Sequence, residues 1–114
     1  MSRSISEQDW KIFRELREIA LQRLCEKILD EAAREIAARG AKSAHERYLN
    51  VYKLIHKRDK DIARGFNDFR RSTALTQIGI MYSMGLFTVE ELRRFSPEVL
   101  GVVEIICGPI ADVG

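Results

Sequence analysis

The sequence predicts an all-α fold: an antiparallel bundle of four to five helices with a long N-terminal helix. Three observations carry that expectation. Helix-capping signals recur ahead of apolar-periodic segments. One segment runs from Ser6 to Arg39 without Gly or Pro. No stretch alternates at period two between turn residues, and the one strand-like scrap, "VVEII" at 102–106, follows the helix-opening pair Ser96–Pro97. At 114 residues, with nearly half the residues apolar and a third charged, the chain suits one globular domain over 1–114.

The first helix is expected over about 6–39. Ser4 with Glu7, or Ser6 with Asp9, can cap it, and Ile5 and Trp10 stand at the spacing of a hydrophobic staple. Gly40 is the expected C-terminal cap. Ser43 and Glu46 form an S-x-x-E box that opens a second helix, about 43–64, ending near Gly65, which either breaks or bends it. Asn67 can cap a third helix, about 67–84, that stops at Gly85. Thr88 and Glu91 make another box, with Phe87 and Leu92 in staple positions, for a helix over about 88–95. Ser96–Pro97 starts the last helix, about 97–107, stopped by "CGP".

The first helix carries the most telling pattern. Positions 12, 16, 20, 24, 28, 32 and 36 read Ile, Leu, Ala, Leu, Ile, Ala, Ile; beside them 21, 25, 29, 33 and 37 read Leu, Cys, Leu, Ala, Ala. Residues four apart advance about 40° per step, so the row slopes around the helix instead of holding a coiled-coil seam. Thirty helical residues span about 45 Å. A compact domain of this size is roughly 35 Å across. The helix should therefore overhang its own domain with apolar side chains still on it. A second copy of the chain is the simplest cover, which makes Leu16, Leu24, Ile28, Leu29, Ala32 and Ile36 candidates for a homodimer interface. The alternative is a kinked first helix wrapped by the others.

Charge is unevenly spread. Residues 1–40 carry eight Lys/Arg and eight Asp/Glu, residues 41–71 carry nine and four, and residues 72–114 carry two and five. Within "KLIHKRDKDIARGFNDFRRS" (53–72), Lys53, Lys57, Lys60 and Arg64 fall on a narrow helical stripe opposite Ala44, Tyr48, Val51, Ile55, Ile62 and Phe66. Such a stripe can contact phosphates, or simply keep a helix soluble. Glu46 extends it with the wrong sign, Asp59 and Asp61 lie between the cations, and no aromatic belongs to it. Arg70 and Arg71 fall in the first turn expected for the third helix, where the dipole disfavours cations. They could anchor an anion, or pair across the fold with the acidic segment "EELRRFSPE".

Signals for chemistry are sparse. "HERYL" at 45–49 begins like H-E-x-x-H but has Leu49 where the second ligand should be. Tyr48, Tyr52, His56 and Asp59 lie on adjoining turns, and Tyr52 with His56 could form an acid–base site; a border between apolar and polar faces places the same residue types. No phosphate loop, dinucleotide fingerprint, nucleophile elbow or di-metal carboxylate pattern occurs, and no cofactor or metal is expected. Cys25 and Cys107 show no C-x-x-C spacing. The first ten residues lack the apolar core of a signal peptide and no run is long enough to span a membrane, so an intracellular, cytoplasmic setting is expected. Gly79, inside the third helix, should mark a close helix approach, with Met81 and Met84 as core filler. The apolar ending "GVVEIICGPIADVG" is a further candidate surface if it does not fold back.

The sequence is thus read as a protein that works by binding, a homodimeric adaptor or regulatory module. A nucleic-acid-associated role through Lys53, Lys57, Lys60 and Arg64 is the alternative.

Overall fold

Among the described residues five helices follow one another: α1 (Glu7–Ala37), α2 (Ala44–Phe66), α3 (Ala74–Ser83), α4 (Val89–Leu92) and α5 (Pro97–Cys107). The computed structural model describes residues 5–40 and 42–110. The all-α bundle with a long first helix is what the periodicity predicts, and most helix starts follow their local signals. Ser6 Oγ accepts from the Asp9 N–H at 3.1 Å and Ser43 Oγ from the Glu46 N–H at 3.1 Å. Thr88 and Glu91 exchange both bonds of a capping box, and Ser96 caps α5 with Pro97 behind it. Each cap satisfies N–H groups that the first helical turn leaves without partners.

Two boundaries differ from expectation. α1 stops at Ala37, with Ala38 as its C-cap and the left-handed Gly40 two residues further on. The larger difference lies between α2 and α3. Gly65 neither breaks nor ends α2, which runs to Phe66; Asn67 is its C-cap, not the opening of the next helix. α3 begins only at Ala74. Residues 67–73 are diverted by contacts that a helix could not make. The Asp68 carbonyl accepts from Thr73 Oγ1 (2.6 Å) and Gln77 Nε2 (2.7 Å), and Phe69 stacks on Trp10 of α1 with ring centroids 4.9 Å apart. Arg70 and Arg71 therefore sit in a turn and not against a helix dipole.

α1 and α2 form an antiparallel hairpin, and α3, α4 and α5 pack against its open end. The core there joins Phe13, Leu16, Ala20 and Leu24 of α1 to Phe66, Ile78, Met81, Leu86, Leu92, Phe95, Val99 and Val103. α3 and α5 meet closely at Gly79, whose Cα faces the Ile106 side chain and whose carbonyl accepts from Cys107 Sγ at 3.1 Å. Polar ties clamp the loops onto α1. Arg23 grips the Glu91 carboxylate at 2.6 and 2.9 Å and donates to the Leu86 carbonyl. Buried Asp9 accepts from Ser96 N–H at 2.9 Å and Ser96 Oγ at 2.6 Å.

The hairpin outruns this core. The molecule measures 53 × 34 × 22 Å, and its radius of gyration of 17.1 Å exceeds the roughly 13 Å of a compact chain of about this length. The last third of α1 and the first half of α2 form a two-helix arm with no third layer upon it among the described residues: from Ala44 to Arg64, α2 has no fully buried residue.

Candidate interaction surface

Each helix of the arm keeps its own kind of face. The sloping row on α1 is covered within the chain as far as Ala32: Leu16 and Leu24 enter the core, and Ile28 and Ala32 are buried where α2 crosses. These four candidates for a dimer interface are thus corrected. The physical reason is the slope itself, because a row that winds about 40° per step meets α3–α5 at one end and α2 at the other. Leu29 and Ile36 remain 61% and 56% exposed. Ile36 is the last member of that row, and Leu29 belongs to the second row, where Leu21 and Cys25 are half-buried and Ala33 and Ala37 are open.

The matching face of α2 is also uncovered. Tyr48 and Ile55 are 64% and 44% exposed, with half-buried Val51 between them. Ile36 from α1 joins Ala44, Arg47, Tyr48 and Val51 from α2 around an open groove of about 320 Å³. Arg47 Nη2 donates to the Ile36 carbonyl at 2.9 Å across the hairpin, fixing the groove's inner wall. Successive residues turn about 100° around a helix, which keeps Leu29 within about 20° of Ile36, and Ile55 and Ile62 within about 40° of Tyr48. The two stripes make one apolar face running along both helices. The α2 wheel marks Tyr48, Val51 and Ile55 as inward-facing. They are on the apolar side, but no described residue lies over it. The tyrosines at 48 and 52, where a closed core would hold Leu or Phe, were the sequence signal of a face with a wet edge.

The cationic stripe lies on the far side of α2. Lys53, Lys57, Lys60 and Arg64 are all exposed, and none forms an ion pair with another described residue, whereas Arg58 on the inner side is held by Glu31 (2.9 Å) and Asp61 (3.1 Å). Contact with Arg58 holds the Glu31 carboxyl below its usual range. Arg64 also borders a crevice of about 210 Å³ with Leu24, Lys27, Glu31, Arg58, Asp61 and Met84.

Arg70 and Arg71 do not reach "EELRRFSPE". Arg70 chelates Asp68 at 2.7 Å through Nε and Nη2. Arg71 donates to the Ile5 carbonyl at 3.0 Å and approaches Glu7 at 3.8 Å. The acidic segment finds its cation elsewhere, in Arg23 on Glu91; that bond holds the Glu91 carboxyl down at about 2, against the opposing effect of burial. Tyr52 and His56 stack nearly parallel, 6.0 Å between centroids, and both are exposed on α2. Among the described residues no three His, Cys, Asp or Glu side chains converge as metal ligands, and no helix is long and apolar enough to cross a membrane. Cys25 and Cys107 are free thiols. Met81 is buried and Met84 half-buried against the core, as filler. Of the C-terminal apolar segment, Val103 enters the core while Ile105 is 84% exposed; residues 111–114 lie outside the described residues.

No protein-family model, curated protein or solved structure matches the chain.

Proposed function

We propose that this protein acts by binding, as a homodimeric helical module whose α1–α2 arm pairs with the same arm of a second copy. The supporting observation is the apolar face shared by Leu29 and Ile36 of α1 and Tyr48, Val51 and Ile55 of α2, which no third layer among the described residues covers. A two-helix hairpin with one apolar side is half of a four-helix bundle, and a two-fold pairing brings identical faces together. From Leu21 to Ile36 the face runs about 23 Å, and two helices make it about 20 Å wide, a footprint of roughly 450 Å². The largest apolar patch on a typical monomer is of about this size, roughly 300–600 Å², and is often functional. Tyr52 and His56 lie at the rim of this face, a place for amphipathic side chains and not for a reaction. Free Cys25 and Cys107 fit a reducing, cytoplasmic setting.

Light scattering at micromolar concentration tests the assembly. The expected mass is twice that of one chain, and Leu29→Glu combined with Tyr48→Glu should return it to one chain while helicity is retained, because both side chains are exposed. A wild-type mass of one chain across the micromolar range would sink the reading.

A further inference from the structure

We infer that the outer stripe of α2 is a docking surface for the phosphate backbone of duplex nucleic acid. Lys53, Lys57, Lys60 and Arg64 follow one another at steps of four, three and four residues, so all four point the same way along about 17 Å of helix. Like charges at these spacings each destabilise a helix by about 0.2–0.5 kcal/mol. No ion pair among the described residues relieves them, although Arg64 borders the crevice that Glu31 and Asp61 also line. Of the helix's acidic residues, Asp61 is bonded to Arg58 at 3.1 Å, and Glu46 is joined to its own cap at Ser43, 3.2 Å away. Asp59 lies well around the helix from the stripe, by about 100°. A row of uncompensated cations on a rigid rod is therefore maintained against helix stability.

The shape of the row selects the partner. A duplex presents one charge per about 1.7 Å of its axis, a stiff linear array that a stiff linear row can meet with little ordering cost on either side. Single strands need exposed rings for stacking. Near the stripe, the exposed ring of Tyr52 lies instead against His56. An anionic membrane would require apolar side chains beside the cations. On α2 those side chains occupy the opposite face, toward Ile36. Three of the four groups are lysines, point charges that contact phosphate without reading bases, so the binding is indifferent to sequence. The stripe belongs to a single chain and does not depend on pairing of the arms.

The test is fluorescence anisotropy of a labelled duplex of about 20 base pairs, titrated with the full chain between about 50 and 200 mM salt. Four phosphate contacts give a slope of log K against log salt near −3.6, which is a ~150-fold loss over that range. Lys57→Gln with Lys60→Gln should halve the slope and leave only a ~12-fold loss. The exposed pair Lys11→Gln with Arg14→Gln, on α1, should leave the slope unchanged. Thermal unfolding of each variant shows that the fold persists. Absence of duplex binding at the lowest salt overturns the inference, as does a slope equally reduced by the α1 control. Phosphatidylserine vesicles that bind where the duplex does not would also overturn it, in favour of a membrane surface.

Discussion

Gly65 and Gly79 share a residue type and a helical backbone, yet their surroundings demand opposite outcomes on substitution. A Cβ on Gly65 would lie 3.8 Å from Ile80 and 3.9 Å from Met84, ordinary packing distances. Gly65→Ala should therefore gain about 0.5–1 kcal/mol from helix propensity alone. A Cβ on Gly79 would stand 3.0, 3.3 and 3.5 Å from three atoms of Ile106, so rotating one methyl aside brings another in. Overpacking costs of about 1–3 kcal/mol should outweigh the propensity gain, making Gly79→Ala the less stable protein. Urea midpoints for the two variants on either side of the wild type check the pair. Glu91 makes a prediction of a different kind. Held at about 2 by Arg23 against an ordinary 4.5, its carboxyl takes up a proton less readily folded than unfolded. That contribution to stability is present above pH 4.5 and is lost as pH falls toward 2. Arg23→Gln should flatten the acid limb of the stability curve in that window, measured as urea midpoint against pH.

Helix starts were legible because their determinants are local. Ser6, Ser43, the Thr88–Glu91 box and Ser96–Pro97 each act within one turn, so three or four consecutive residues carry the whole signal. The segment 67–73 was not legible, because what stops a helix there comes from α1: Trp10 takes the Phe69 ring, and the Ile5 carbonyl takes Arg71. The same holds for the face of the arm. Two apolar rows are evident on α1, but only the placement of α2 and α3 decides that Leu24 and Ile28 are covered while Leu29 and Ile36 are left open. Arg70 and Arg71 were legible as ion-pairing residues but not in their partners. Beside them, the start of α1 is clipped to the start of α5 by Asp9, which accepts two bonds from Ser96. Removing it by Asp9→Ala orphans Ser96 N–H and should cost about 3 kcal/mol, a loss read in the urea midpoint and larger than that of Glu15→Ala, which breaks only the exposed 2.9 Å pair with Arg94.

The whole molecule is two regions of unequal support on one continuous helix. The N-terminal half of α1 is enclosed by α3–α5, while among the described helices α2 alone runs beside its last third, which keeps an apolar face open to water. Hydrophobic burial is the main source of folding free energy, so the arm holds less of it per residue than the core and should open more often. Amide exchange should then be slow at Leu16 and Ala20, and faster at Leu29, Ile36, Tyr48 and Val51 when the protein is dilute. Covering the face changes that order. A chain that pairs only when folded gains stability as concentration rises. On the pairing proposed for the arm, a hundredfold increase in protein concentration should slow exchange in the arm and raise the melting temperature, with no change at Leu16. The Leu29→Glu, Tyr48→Glu variant should show neither response. If the arm's exchange rates are the same at both concentrations, the open face is not closed by a second copy, and the elongation of α1 serves some other contact.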